Sequence, residues 1–293
     1  MAETELAARL GEHMAALTQE GPRHPENPAG IAATLDYLNA TLSGFGYQVQ
    51  QHRYGEHDHQ INLTVELGAD HRGGTLDLGA HWDSVSGSPG ADDNASGVAG
   101  LVEIARELAA EPPSQAVRLC FFAEEEVGGL PGSTAHVEAS LRRGEQIEAA
   151  IVLEMIGYRD SRPGSQRLPE KTAGLLQSVG VSVPEVADFI AVVGDNAASV
   201  LVESLVEAAG QQEPQLPAFP LVVPAGALGD AARSDHAAYW KSGIPGVMVT
   251  DTANFRNPHY HQPSDTVETI SLEFAAEVVE MVLTALRTLR SRR

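Results

Sequence analysis

The stretch Leu76-Asp77-Leu78-Gly79-Ala80-His81-Trp82-Asp83, followed by Ala95–Ala110, decides the fold. Leu76–Ala80 is an apolar run of strand length. Across Ala95–Ala110 the apolar residues Val98, Leu101, Val102, Ala105, Leu108 and Ala109 recur at helical spacing and form one face. The same rhythm continues downstream. Val117–Ala123 reads as a strand, Ser133 as the cap of a helix, and Ala149–Leu153 as a strand. Ile190–Val193 is followed by a helix over Asn196–Ala209, and Gly246–Thr250 is a late strand. Ser271 caps a final helix with the face Phe274, Val278, Val282, Ala285 and Leu289. Strands alternating with helices imply an α/β architecture, a largely parallel sheet covered on both faces. Ligands of such sheets bind outside the carboxyl ends of the strands, so the chemistry is expected just after strand ends.

Upstream, a helical pattern covers residues 3–19, and a Pro/Gly-rich loop, Gly21 to Gly30, leads to a second helix ending near Gly44 or Gly46. Tyr47–Tyr54 and Ile61–Leu67 alternate apolar and polar residues, as a hairpin does. Tyr158–Lys171 and Gly210–Arg233 carry no strong period and are long enough to wall a site. With no repeat, low-complexity tract or linker, residues 1–293 read as one domain.

The formal net charge of −21 argues against nucleic acid and anionic membranes as partners, since both call for basic patches. No apolar run approaches the roughly 20 residues needed to cross a bilayer. Met1 to Leu10 lacks the basic-then-apolar block of a signal peptide, so a cytoplasmic location is expected. Cys120, the single cysteine, lies in an apolar run and reads as a buried structural thiol. Oligomeric state is not legible.

Five clusters carry chemistry. His81-Trp82-Asp83 follows a strand; its His can offer a ring nitrogen to a metal while Asp83 accepts the other N–H. Gly90-Ala91-Asp92-Asp93-Asn94 opens a helix, where one acidic residue is explained by capping but a tandem pair is not. Glu124-Glu125-Glu126 ends a strongly apolar strand, which suits a glutamate bound to metal beside one free to act as general base. Glu154 is flanked by apolar runs, a costly place for an unpaired acid. Pro258-His259-Tyr260-His261, with Ser234-Asp235-His236 upstream, concentrates histidines beyond what a surface loop needs. His52, His57 and His59 sit in an apparent hairpin turn and read as exposed, and His24 as bordering the site at most. Together the clusters form a mixed nitrogen and oxygen set that suits a pair of zinc ions sharing a carboxylate.

In this order the motifs resemble those of the leucine-aminopeptidase-like di-zinc metallopeptidases, relatives of glutaminyl cyclases and transferrin receptors. The matching stretches are His81-Trp82-Asp83-Ser84, Pro89 to Gly97, Glu125-Glu126-Val127-Gly128, Leu153 to Gly157, Ser234-Asp235-His236 and Tyr260-His261. The resemblance implies a three-layer α/β/α sandwich with a central mixed, mostly parallel sheet, the zinc-exopeptidase fold. It implies two Zn2+ ions, one held by His81 and Glu154, the other by Glu126 and His261, with Asp92 bridging them. Glu125 would be the general base, Asp83 would orient His81, and Tyr260 would help stabilise the oxyanion. Asp235 and His236 would lie behind the ligands. Counting from the strand places the pair at Glu125/Glu126; a one-residue slip gives Glu124/Glu125. Glu154 stands where related aminopeptidases usually have Asp, and one extra residue separates Glu126 from Gly132-Ser133. The implied activity is removal of N-terminal residues from peptides. A carboxypeptidase or dipeptidase of the same fold, a glutaminyl cyclase and a non-catalytic binding homologue are the alternatives.

Overall fold

In the computed structural model, which describes residues 4–68, 74–113, 115–168, 170–178, 180–224 and 229–291, strands and helices alternate along the chain. In chain order they are α1 (Glu5–Thr18), α2 (Pro28–Gly44), β1 (Gln50–Arg53), β2 (Ile61–Leu67), β3 (Thr75–His81), α3 (Gly97–Ala110), β4 (Ala116–Phe122) and α4 (Pro131–Arg142). Then come β5 (Ile147–Glu154), α5 (Glu170–Ser178), β6 (Ile190–Asp195), α6 (Ser199–Gly210), β7 (Ala218–Val223), α7 (His236–Lys241), β8 (Gly246–Thr250) and α8 (Leu272–Ser291). Residue 3 of the expected first helix and residues 225–228 of the Gly210–Arg233 segment lie outside the described residues.

The strands form one mixed eight-stranded sheet in the order β1-β2-β4-β3-β5-β8-β6-β7. The four central strands, β4, β3, β5 and β8, are mutually parallel. The β1–β2, β2–β4 and β8–β6 pairings are antiparallel, and β7 runs parallel to β6 at the edge. The strands read as unbroken apolar runs because both sheet faces are covered. Val117, Leu119 and Phe121 of β4 pack with α1, α2, α3, α6 and α8, while the intervening Cys120 and Phe122 pack with α4 and α7. Ile151 and Leu153 against Ala150 divide in the same way on β5. Burying each of the valine, leucine, isoleucine and phenylalanine side chains among these contributes about 1.5–3 kcal/mol. Among the described residues no helix is long and apolar enough to cross a membrane.

Two expectations are corrected. Ser133 lies inside α4 rather than before it; the helix opens at Pro131, whose fixed φ suits a first turn, and Ser133 Oγ donates to the Leu130 carbonyl at 3.4 Å. Within Gly210–Arg233, β7 forms despite Pro220, since an edge strand does not need every N–H for pairing.

Candidate metal centre

The carboxyl ends of β3, β4 and β5 converge, and each delivers a ligand-type side chain. His81 closes β3 and is fully buried. Its Nδ1 lies 3.3 Å from Asp83 Oδ1, and its Nε2 lies 3.2 Å from Glu154 Oε2 and 3.4 Å from Asp93 Oδ1. Asp83 also accepts the backbone N–H groups of Glu125 and Glu126, each at 3.1 Å, which ties the turn after β4 to the turn after β3. Glu154 is the last residue of β5, and its Oε2 accepts Ser234 Oγ at 2.7 Å.

Glu124, at φ 61°, sends its carboxylate away from the centre. It accepts Tyr54 Oη and Gln60 Nε2, each at 3.0 Å, and pairs with His59 Nε2 at 3.0 Å. Glu125 and Glu126 are therefore the pair facing the centre, and His59 is a partner of Glu124 rather than an incidental surface group.

The tandem aspartates divide differently from expectation. Asp93 stands between the two histidines, with Oδ1 toward His81 and Oδ2 3.1 Å from His261 Nε2. Glu126 Oε2 lies 3.1 Å from the same His261 nitrogen. Asp92, expected to bridge, is turned into the protein: its carboxylate accepts Gly157 N at 2.9 Å and Asn257 Nδ2 at 2.6 Å. Asp93 takes the place between the histidines because the segment Ala91–Ser96 leaves helical geometry at Asp93 and Asn94.

That segment is held by Asp265 and Arg23, which the sequence did not single out, and by its own Asn94. Asp265 accepts the N–H groups of Asp92 at 2.9 Å and Asp93 at 3.2 Å. Arg23, buried, donates to the carbonyls of Trp82 at 2.6 Å, Pro89 at 2.5 Å and Gly90 at 2.8 Å. Asn94 bridges to β5, giving Nδ2 to Leu153 O at 2.9 Å and accepting Met155 N at 3.0 Å. Gly97 passes so close that a Cβ would sit 2.4 Å from Asn94 Oδ1 and 2.7 Å from Leu153 O. Arg23 lies in a loop without periodicity, which gives no signal; Asp265, four residues past His261, is the one a search of the histidine cluster could have reached.

Tyr260 stacks on His261 with ring centroids 3.8 Å apart, and its hydroxyl accepts Arg233 Nη2 at 3.0 Å. Asp235 is buried beside the cluster, and burial pushes its carboxyl up to about 7, against the pull of His81. His236 belongs elsewhere: it bonds the Ala231 carbonyl at 2.7 Å and packs edge-on to Trp240, and burial depresses it to about 4.

The electrostatics show what the cluster lacks. Burial, reinforced by Asp93, pushes Glu126 up to about 8, and burial holds Glu125 well above the ordinary carboxylate range. Burial would depress both histidines, yet the carboxylates dominate: Asp93 and Glu126 lift His261 to about 10, and Glu154 and Glu125 lift His81 well above its ordinary value. The raised values reflect buried carboxylates crowded at one place, with Arg23 and the two histidines as nearby positive groups, a charge balance that divalent cations can complete. His81 Nε2, Glu126 Oε1 and His261 Nε2 are buried without a hydrogen-bond partner among the described residues, which leaves them free for a metal. Donor atoms of His81, Glu125 and Glu154 lie within 4.8 Å of one another, as do those of Asp93, Glu126 and His261. These residues fit zinc, which takes imidazole nitrogen and carboxylate oxygen. A third buried group, Asp77, Cys120 and His136, differs: Asp77 is already bonded by Arg118, His136 and Tyr239, and the Arg118 guanidinium supplies its countercharge.

Beside the cluster opens a pocket of about 220 Å3. Asp93, Glu125 and Glu154 form its acidic part, and Phe189 just before β6, with Val193, Phe219, Leu221 and Met248 from β6, β7 and β8, gives it an apolar wall. Gln166 and Leu168 from one aperiodic loop and Arg233 from the other line it as well, so both segments wall the site.

Residues 62–286 match the model of peptidase family M28. The chain belongs to peptidase family M28. An M28 peptidase is a zinc-dependent hydrolase, in keeping with the donor set above. The chain is 40% identical over 282 residues to an uncharacterized Escherichia coli protein, YfbL, covering 90% of this chain and 82% of that one. It is 29% identical over 226 residues to leucine aminopeptidase 1 of Fusarium vanettenii, covering 71% of this chain; the match spans half the length (50%) of that relative. The fold superposes on Legionella pneumophila LapA with a TM-score of 0.77 at 20% identity, covering 97% of this chain and 73% of that one.

Proposed function

We propose that this M28 chain is an aminopeptidase with two co-catalytic zinc ions. One would be held by His81 and Glu154, the other by Glu126 and His261, with the Asp93 carboxylate shared between them. The observation that carries this reading is the placement of Asp93, one oxygen toward each histidine. The aminopeptidases among its relatives and the acidic lining of the pocket, which attracts a free N-terminal ammonium, support the choice of peptide end.

When bound, the metal pair would polarise the scissile carbonyl and acidify water. The rest of the chemistry belongs to the protein. Glu125 stands with His81 and Glu154 but has no side-chain hydrogen bond among the described residues, so its carboxylate is free to take a proton from the attacking water and pass it to the leaving amine. Asp83 keeps the His81 ring oriented through Nδ1 and anchors the N–H groups of Glu125 and Glu126. Tyr260, fixed against His261, is positioned to donate its hydroxyl proton to the tetrahedral oxyanion, since its own oxygen already accepts from Arg233. The apolar wall receives the side chain of the residue being removed.

The test is a comparison of amino-acid anilides with N-blocked dipeptides, together with Glu125→Gln. Anilides are expected to be hydrolysed, and Glu125→Gln to lower kcat by about 10²–10⁴-fold while keeping its zinc. Cleavage confined to the N-blocked set would sink the aminopeptidase reading. Cyclisation of N-terminal glutamine with about one zinc per chain would favour a cyclase.

A further inference from the structure

Arg233 is the one cation among the described residues lining the pocket. Its partners are neutral: Nη1 donates to Asn254 Oδ1 at 2.9 Å and Nη2 to Tyr260 Oη at 3.0 Å. No carboxylate lies within ion-pair distance among the described residues. Asp230, also on the lining, is taken by Thr172 Oγ1 at 2.6 Å. In a protein with a net charge of −21, an unpaired guanidinium on the wall of an otherwise acidic and apolar pocket stands out. It is exposed, its remaining N–H groups are unspent, and its planar fork matches a carboxylate.

Its position relative to the cluster follows from contacts. Arg233 bonds Tyr260, whose ring stacks 3.8 Å from that of His261, and the next residue, Ser234, bonds Glu154. The guanidinium is thus one side chain away from the centre where the scissile carbonyl would sit. A peptide extends by about 3.3–3.6 Å per residue, so a carboxylate on the residue just after the scissile bond falls within its reach.

We infer that Arg233, seconded by Tyr260 and Asn254, is a binding site for a carboxylate carried by the leaving part of the substrate, which makes short zwitterionic peptides the preferred class. The ammonium is drawn to Glu125, the carboxylate of the pocket's acidic part that would hold no metal, and the substrate's carboxylate to Arg233. This rests on the aminopeptidase reading, and it names a specificity residue for that reading. The carboxylate has two chemical sources, the free C-terminus of a dipeptide or an acidic side chain following the scissile bond.

The test uses the zinc-loaded full chain and four substrates: leucyl-leucine, leucyl-leucine amide, leucyl-glutamic acid α-amide and N-acetyl-leucyl-leucine. The native protein is expected to favour leucyl-leucine over its amide by about 10- to 100-fold in kcat/KM, mostly through KM. In Arg233→Gln that ratio is expected to collapse toward one, and in Arg233→Lys, which keeps charge but loses the fork, to fall between. Ratios within each variant cancel any effect on Tyr260. A second readout is calorimetric binding of the reduced-bond analogue of leucyl-leucine and of its amide, where the same preference is expected and the same loss in Arg233→Gln. If the glutamic acid α-amide matches leucyl-leucine, the side-chain carboxylate also satisfies the site; if it behaves as the plain amide, the free terminus is what is bound. A native ratio near one, or a ratio unchanged in Arg233→Gln, overturns the inference. Cleavage of the N-acetyl peptide in preference to the free one overturns the aminopeptidase reading instead, and leaves the acid-to-amide ratio to decide Arg233 by itself.

Discussion

Asp92 and Asp93 are neighbours in sequence with opposite assignments in space. Asp92 shares its buried surroundings with Gly157 N, Asn257 and Asp251, and burial together with Asp251 holds its carboxyl well above the ordinary range. Asp93 is held well below that range: burial would raise it, but the close approach of His261 and His81 wins. The resemblance pointed to Asp92 as the shared carboxylate, and the structure turns that residue inward and sets Asp93 between the histidines instead. The choice depends on backbone angles of φ −104°, ψ 90° at Asp93, where residue counting from the helix fails. The contrast is testable. Asp93→Asn is expected to retain less than one zinc per chain after dialysis, measured by plasma mass spectrometry. Asp92→Asn is expected to keep its zinc, since the amide still accepts from Gly157, while melting at a lower temperature. Equal zinc loss in both variants would argue against the assignment.

At the scale of elements, the strand-end residues His81, Glu125, Glu126 and Glu154 were legible because apolar runs ending in acids or histidine have few structural explanations. The props beneath them were not. Arg23 sits in an aperiodic loop, and Glu124 differs from its neighbours only through a left-handed backbone and a hairpin distant in sequence. The packing of α1 on α3 is a second case of hidden long-range pairing. Glu103 of α3 is buried and accepts Arg9 Nε at 2.9 Å and Arg106 Nε at 3.0 Å, with His13 Nε2 at 2.9 Å. Burial alone would raise its carboxyl, but the bonds to His13, Arg106 and Arg9 pull it down to about 2. A depressed folded value means the stabilisation is present above the unfolded carboxylate range, near pH 4.3, and is lost as pH falls toward 2. Glu103→Gln is expected to cost about 1–3 kcal/mol at neutral pH and to flatten that acid limb. Urea midpoints from pH 7 down to pH 3 would show it; an unchanged acid slope would count against it.

For the molecule as a whole, the mixed order of the sheet was implied only by the resemblance, while the α/β class was readable from alternation, through apolar strands, amphipathic helices and chemistry at carboxyl ends. The eighth strand and the arrangement of the pocket were not, because β7 carries a proline and its residues form an apolar wall only once β6 and β8 stand beside them. The same whole-molecule view explains why a metal should matter for stability. Several carboxylates meet at one end of the sheet beside two histidines, and a cation that binds only the folded state stabilises it. Chelation is expected to lower the melting temperature measured by calorimetry, and zinc in excess to restore it; a melting temperature indifferent to both would mean that the cluster tolerates its own charge.

The central claim is a zinc pair straddling Asp93, and a crystal structure of the zinc-loaded protein with anomalous data at the zinc edge addresses it most directly. Two anomalous peaks are expected, one near His81 and Glu154, the other near Glu126 and His261, with an Asp93 oxygen toward each. A single peak, or peaks at Asp77 and His136 with none beside Asp93, would contradict the account.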